Sequence, residues 1–416
     1  MKMTREIFII TLANALILAG YGMSVPFFAI YLNVERALPA SMVGAVIAIS
    51  TIGRAFASGI SGELSDIFGR KKLMNASLVL GAVFLALMGL GMILDAHYIW
   101  IIIFHMIASF FGAFFRPSSN AWVADNVAPK NRLEAFGYIR IGLNLGWAAG
   151  PALGGLIANY SFGAAFIITA VSYIGTAAML QAKIKETFVR SKEHKSKFTD
   201  MILELKNQRL AKLCALIFLI SVVAAQLVTG LSLHGVKYIG LTQAQIGLLF
   251  TIDGSIVVLL QYHASKIMTD MRITTALIIG CIIYGSGYIL VGAAHGFTLA
   301  AIGIALVATG EMAISPGSNT LISNIAPEKA RGRYLGMQEV SRHIGTAAGM
   351  FGAGVMIEYL SPISQIIPWL LIGFISFTVA FLFYKIKPMF TDEEDGINQT
   401  PVPPPPALEE TQITGN

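Results

Sequence analysis

The chain has 416 residues, of which 55% are hydrophobic and only 12% charged, against roughly 25% charged in an average soluble domain. So few charges cannot coat the roughly two or three soluble domains that this length would otherwise build, which excludes an ordinary soluble protein and leaves an integral membrane protein. The net charge of +6 raises nucleic acid as a partner, and the placement of the basic residues has to decide that.

In chain order, the opening MKMTREIFIITLANALILAG imitates a secretory signal, with a basic start and an apolar stretch. The apolar run continues through YGMSVPFFAIYL without a small-residue cleavage site, so it reads as a retained first span. A hydrocarbon core about 30 Å thick takes roughly 20 apolar residues as a helix, and helices are the default because backbone groups in lipid must be satisfied within their own segment. Twelve such segments follow, at 5–33, 40–63, 73–94, 98–124, 134–158, 163–183, 210–235, 242–265, 273–294, 297–322, 334–358 and 365–386. Short connectors join them, apart from 184–209 and the stretch after 386. In the long connector, FTDMILELKNQRL places Phe198, Met201, Ile202 and Leu205 on one helical face, which predicts an amphipathic helix lying on the membrane surface. Residues 387–416, with DEED and a four-proline run, predict a disordered tail. The two cysteines, Cys214 and Cys281, lie inside apolar runs, so neither a disulfide framework nor a zinc site is expected, and no cofactor is implied.

Lys and Arg set the orientation. With the N-terminus inside, the inner segments hold 23 of them, including nine between Lys183 and Lys212, while the outer loops hold Arg36 and Lys237. The remaining four, Arg54, Arg116, Arg140 and Arg342, fall within spans. The basic balance is therefore topology, both termini are expected in the cytoplasm, and nucleic acid is set aside.

The halves repeat. RPSSNAWVADNVAPKNRLEAFGYIRIGLNLGWAAGPALGG returns as SPGSNTLISNIAPEKARGRYLGMQEVSRHIGTAAGMFGAG. Pro117 matches Pro316, Asn120 matches Asn319, Arg132 matches Arg331, Gly137 matches Gly336 and Gly150 matches Gly349, each 199 positions apart. Both halves have six spans and start on the same side, so an axis along the membrane normal relates them, an arrangement common in transporters that rock two bundles about a midplane site. The expected units are an N-terminal six-helix bundle at 1–183, a linker at 184–209, a C-terminal six-helix bundle at 210–386 and the tail at 387–416.

Between the second and third spans, GELSDIFGRKK puts five charges in eleven residues. Gly62 permits close helix approach, Gly69 a turn, and Asp66 can pair with the basic cluster or cap a neighbouring helix. With twelve spans in two parallel sixes, this stretch resembles the major facilitator superfamily, over residues 1–386. The family's cytoplasmic signature is matched by Gly62, Leu64, Asp66, Gly69, Arg70 and Lys71, while Ile67 stands where an Arg is usual. The resemblance implies an all-α membrane fold of two pseudo-symmetric six-helix bundles around a central cavity, with this knot latching the halves in the outward-facing state and Asp125 as a further partner. A topogenic basic loop without a gating role is the alternative. In the fifth span, Gly137, Gly146, Gly150, Pro151, Gly154 and Gly155 reproduce the spacing of the superfamily's antiporter signature, resembling drug–proton exchangers. Glycines four apart let helix backbones touch and Pro151 bends the helix, so such a seam can seal the path on the outer side; ordinary small-residue packing is the plainer reading.

Charges within spans are expensive and functional by default. Arg54, Arg116, Arg140 and Arg342 lie six to nine residues from an inner end, about 9–13 Å deep at 1.5 Å per residue, where a long side chain can snorkel. Glu339 is shallower and suits the latch region. Asp253 and Glu311 lie eleven or twelve residues from either face and reach water only through a central cavity. These two are expected to take up and release protons, with an organic cation competing for the same carboxylate; a fixed ion pair with an arginine of the other half is the alternative. Proton-linked members of the family usually have an Arg where His105 stands and often an acid where Asn14 stands, so His105 enters as a titratable candidate against a packing role. Phe27, Phe28, Phe110, Phe111, Phe114 and Phe115 suit an adaptable cavity or a lipid-facing surface.

No HExxH pair, GxSxG elbow, Walker-type phosphate loop or selectivity-filter-like repeat occurs, so the chain is not read as an enzyme, an ATP-driven pump or a channel. The reading is a multi-pass, monomeric secondary transporter of a plasma or bacterial inner membrane, working by alternating access on a small-molecule substrate. Proton-coupled efflux of amphipathic drugs is the expected mode, and a carrier for a specific, possibly anionic, small solute is the alternative.

Overall fold

Amides surrounded by hydrocarbon find partners only within their own segment or against a neighbouring backbone. The computed structural model of the chain describes residues 4–186, 204–327 and 330–397, and among these it contains helices and no strand. Twelve helical spans run in chain order: α1 (Arg5–Ile30, widened into a π-turn over Tyr31–Glu35), α2 (Ala40–Phe68), α3 (Arg70–Ile93), α4 (Tyr98–Gly112 and Phe115–Asn126), α5 (Pro129–Ala158) and α6 (Phe162–Lys183). The second half has α7 (Gln208–Ala224 and Thr229–Lys237, joined by a 3-10 turn), α8 (Gln243–Thr269), α9 (Ile273–Gly292), α10 (Phe297–Ile325), α11 (Arg331–Tyr359) and α12 (Ile367–Ile386). Eleven are apolar and long enough to cross a membrane. The other, α11, is 29 residues long but carries Arg333, Glu339 and Arg342 along its first half.

Local chemistry sets the ends and breaks. Thr242 and Gln245 close a reciprocal capping box at the start of α8, satisfying amide donors that a helix N-terminus leaves bare. The break in α4 falls at Ala113 and Phe114, four and three residues ahead of Pro117, whose missing N–H and ring oppose a continuous helix there. At the break in α7, Gln226 donates from Nε2 to Val222 O at 3.1 Å and to Gly349 O at 3.0 Å, so its side chain supplies donors to carbonyls near the interruption.

The repeat is visible in space. On α5, a β-carbon added to Gly146 would stand 2.3 Å from Ala15 O of α1, and one on Gly150 2.3 Å from Ala19 O; 199 residues later, Gly345 and Gly349 of α11 approach Phe218 O and Val222 O of α7 at 2.3 and 2.5 Å. Each half is thus keyed by the same backbone-on-backbone contact. Of the other motif glycines, Gly154 continues the seam against Met23 O of α1 at 2.4 Å, while Gly155 turns to α8, 2.4 Å from Gln243 O, and Gly137 meets nothing. Most of the glycine ladder therefore binds α5 to its own half, and only its last turn faces the other.

The halves meet along α2–α11 and α5–α8. Gly44 lies against Met350 O, Gly354 against Ala40 O and Gly247 against Pro151 O, at 2.6, 2.2 and 2.2 Å for an added β-carbon. Ser41 N donates to Glu358 at 2.9 Å, and Thr251 Oγ1 to Ala148 O at 2.8 Å. These contacts all lie toward the face away from the basic connectors. Toward the basic face, Gly53, Gly59 and Gly62 of α2, Gly137 of α5 and Gly332 of α11 have nothing within 4 Å of an added β-carbon. The two bundles are closed on one face and parted on the other.

The expected disorder from residue 387 does not hold through residue 397. Asp395 is fully buried at the start of α9: its Oδ1 accepts from Thr274 N at 2.8 Å, its Oδ2 from Thr274 Oγ1 at 2.6 Å, and its backbone O from Ile273 N at 2.9 Å. Arg272 pairs with Asp392, and Arg209 of α7 donates to Glu394 at 2.8 Å. The acidic run supplies the capping anion that the N-terminus of α9 favours, so it clasps the bundle instead of hanging free. Residues 398–416, and the helical face predicted over Phe198, Met201 and Ile202, lie outside the described residues; Leu205 sits in a 3-10 turn, Glu204–Lys206.

Replacing the buried cap by Asp395→Ala is expected to cost about 1–3 kcal/mol, read as a lower Tm of the purified protein in detergent. Gly146→Val, which forces a side chain into the Ala15 carbonyl, is expected to lower Tm by the equivalent of at least about 3 kcal/mol, whereas Gly137→Ala leaves Tm unchanged. Equal effects at positions 146 and 137 would contradict the seam.

Candidate functional site

A cavity of about 520 Å³ lies mainly between α1, α2, α4, α6 and α11, within the N-terminal half and against the inner stretch of α11. Five of the charged or titratable residues singled out in the spans line it: Arg54, His105, Arg116, Glu339 and Arg342. Arg54 projects from α2 with its guanidinium 4.4 Å from the centroid of the Tyr21 ring, a cation–π contact that holds the charge without neutralising it. Arg116 lies just after the break in α4, close enough to Arg54, Arg342 and Glu339 to feel all three electrostatically. On α11, Arg342 and Glu339 pair at 3.3 Å across one helical turn, and Arg342 also donates to Asn319 Oδ1 at 3.1 Å.

With neutral histidines, the lining counts three guanidiniums against one carboxylate, a net +2. His105 is buried against Phe28, ring centroids 4.1 Å apart. Asn14 is also buried, donating to Ser119 Oγ at 3.0 Å and to Ile10 O at 2.9 Å. The apolar part of the wall includes Ile17, Leu18, Leu85 and Phe166. Of the phenylalanines expected there, Phe115 lines the cavity, whereas Phe27 is fully buried and Phe110, Phe111 and Phe114 form an aromatic cluster beside it. Arg140 is exposed on α5 and is not part of the lining.

Residues that sequence reasoning passed over complete the wall: Tyr21, Asn120 and His343. His343 had a usable signal, because Glu339, Arg342 and His343 fall at i, i+3 and i+4, a shared helical face.

Asp253 and Glu311 stand apart from this cavity. Asp253 is buried on α8 at the contact with α5, where Trp147 Nε1 donates to its Oδ2 at 3.3 Å; its Oδ1 has no partner among the described residues. Glu311 of α10 is close enough to act on it electrostatically. Arg342, whose charge reaches Glu311, holds its ion pair with Glu339 instead. An organic cation seated in the main cavity would therefore meet arginines, not these carboxyls.

A further group of buried polar atoms lies in the C-terminal half toward the closed face. Both ring nitrogens of His234, Thr229 Oγ1, Ser232 Oγ and Trp369 Nε1 lack hydrogen-bond partners among the described residues, and Tyr288 lies beside them. Their rings touch in sequence: His234 edge-to-face with Trp369 at 5.0 Å, Trp369 stacked on Tyr288 at 5.9 Å, and Tyr288 edge-to-face with Tyr284 at 5.1 Å. Tyr284 and Tyr288 both lie within electrostatic reach of Asp253 and Glu311.

The charged knot is ordered within the N-terminal half. Arg70 bonds Asp66 at 2.5 Å and Asp125 at 3.0 Å, so the structure brings together the three residues singled out there. Gly69 adopts φ +97°, a left-handed conformation natural to glycine. The turn delivers the α3 N-terminus to Glu186, which accepts from Lys72 N at 3.0 Å and Lys71 N at 3.3 Å. Lys71 Nζ donates to Gln181 O at 2.9 Å. Gly62, expected to pack closely, faces open space in this conformation.

The comparisons with known proteins agree with this architecture. The family model described as Major Facilitator Superfamily matches residues 10–349 and 213–412. The chain is 24% identical over 359 residues to the uncharacterized MFS-type transporter YdeE of Escherichia coli (strain K12), covering 85% of this chain and 89% of that protein. It is 23% identical over 384 residues to Multidrug resistance protein 2 of Bacillus subtilis (strain 168), covering 89% and 92%. Among solved structures, a peptide transporter POT in complex with sulfate superposes with a TM-score of 0.75 at 12% identity, over 92% of this chain and 94% of that one.

Proposed function

The chain belongs to the major facilitator superfamily, a multi-pass membrane transporter and not an enzyme, and from that premise we propose a proton-coupled exporter of amphipathic compounds working by alternating access. The observation that carries the coupling is the pair Asp253 and Glu311: two carboxyls within the membrane, in electrostatic reach of one another, with one oxygen of Asp253 unpartnered among the described residues. Neighbouring acids in a low-dielectric interior form a joint site that can bind and release a proton.

The Lys and Arg bias puts the basic face in the cytoplasm, so the parted side is the cytoplasmic one and the cavity loads from within. Opening the other face requires α2–α11 and α5–α8 to unzip there and the cytoplasmic ends to close. Gly53, Gly59 and Gly62 then become the packing surface of α2, and the Asp66–Arg70–Asp125 cluster comes to the junction as a latch. The multidrug-resistance name of the Bacillus relative supports export, at 23% identity.

In proteoliposomes containing the internal pH dye pyranine, adding a transported amphipath is expected to dissipate an imposed proton gradient. Asp253→Asn is expected to abolish this response while substrate exchange at equal pH persists, because exchange needs no net proton movement. Asp253→Asn and Glu311→Gln proteins that both couple normally would refute the assignment. Gly62→Val is expected to leave Tm unchanged, since nothing lies near that position in this conformation, and yet to stop net transport by blocking closure of the cytoplasmic side.

A further inference from the structure

The charge of the cavity and the charge of the proton site have opposite signs and sit on different helices. We propose that the cavity binds the acid group of its cargo, so that the transported compounds are amphipathic oxyanions: an aromatic or aliphatic body carrying a carboxylate, sulfonate or phosphate. This deepens the exporter reading and rests on it for the direction of transport, but not for the binding site itself.

The argument is one of unmatched charge. Arg54, Arg116 and Arg342 converge on one space, and Glu339 is the single acid in its lining. Guanidiniums gathered around one space repel one another, and planar forks of N–H donors are matched by carboxylate, sulfonate and phosphate oxygens. Arg54 spends its charge on a tyrosine ring 4.4 Å away and not on a carboxylate. Glu339 serves both Arg342, by an ion pair at 3.3 Å, and Arg116, at longer electrostatic range. It is an internal substitute for the anion, held by one turn of α11 and half exposed, with its side chain 53% accessible.

Cargo oxygens entering between Arg116 and Arg342 displace the Glu339 carboxylate, and Arg54 supplies attraction from α2. The hydrophobic body then lies against Leu18, Leu85 and Phe166. Because α2 and α4 belong to the N-terminal half and α11 to the C-terminal half, an anion held between them pulls the cytoplasmic ends of the halves together. Its negative charge replaces a repulsion among like charges by a bridge across the open side, which is what loading must do if it is to favour closure.

The test is equilibrium binding of tritiated naphthalene-2-sulfonate to the purified full chain in lipid nanodiscs, with tetraphenylphosphonium as the permanent cation for comparison. Neither probe titrates near neutral pH, so only the protein responds to pH. The sulfonate is expected to bind and the phosphonium not, with binding weakened by salt. Arg116→Gln is expected to lose about tenfold or more in affinity, the scale of one charge-assisted hydrogen bond, and Arg116→Lys to recover part of it. Glu339→Gln is expected to tighten sulfonate binding, since it removes the competing carboxylate. Preference for the phosphonium, binding of neither probe, or a Glu339→Gln protein that binds the sulfonate more weakly would overturn the proposal, as would unchanged affinity in a folded Arg116→Gln protein. Failure of the exporter reading is distinguishable: sulfonate binding that behaves as described, with flux indifferent to a proton gradient, leaves the anion site standing and removes the coupling.

Discussion

In lipid, no hydrophobic force pulls one apolar helix onto another, so association depends on backbones that can touch. The contacts of Gly146 and Gly150 with α1, and of Gly345 and Gly349 with α7, provide this in both halves. Each is a carbonyl approached so closely that no larger residue fits. The two bundles are internally keyed in the same way. The junctions between them at Gly44, Gly354, Gly155 and Gly247 are the same kind of contact used more sparingly, and they hold one face shut while the other stays apart.

A bundle packed this tightly leaves few places for charge, and those places explain one another. The arginines surround a space open enough for water or cargo, so they need not all be paired. Asp253 is buried in the seam beside Trp147, where one indole N–H is its hydrogen-bond donor. A charge in the membrane is tolerated where something answers it; here the answer for the cationic wall is a tyrosine face, a single glutamate and the cavity itself, whereas Asp253 has one indole donor and a neighbouring acid that opposes its ionisation. The cationic cavity and the pair of acids therefore stand on different helices, with Arg342 of α11 lining the one and lying within electrostatic reach of Glu311 in the other.

Much of the architecture was legible because its signals are one-dimensional. Runs of roughly 20 apolar residues mark spans whatever surrounds them, and the segment 334–358, the most charged of the twelve, also carries the 199-residue correspondence with α5. Depth was legible too, by counting from the ends of a span. Facing was not: Arg116 and Arg140 lie at similar depths, yet one lines the cavity and the other does not. The docking of Asp395 was hidden for a related reason. Its partner Thr274 is 121 residues away, and an acidic run before four prolines has the same composition whether it caps a helix or hangs in water.

By itself, the order of residues determined that this chain crosses a membrane in twelve helices, that its halves are copies, which side carries the basic connectors, and which few charges lie deep enough to matter. Those properties follow from local composition and spacing, which act along the chain. Tertiary structure alone decided that five of the deep polar and charged residues share one cationic cavity while Asp253 and Glu311 stand outside it, that the acidic tail is a clasp, and that the bundles part on the basic face. Each of these depends on which side of a helix meets which neighbour, and that is settled by packing between segments far apart in sequence.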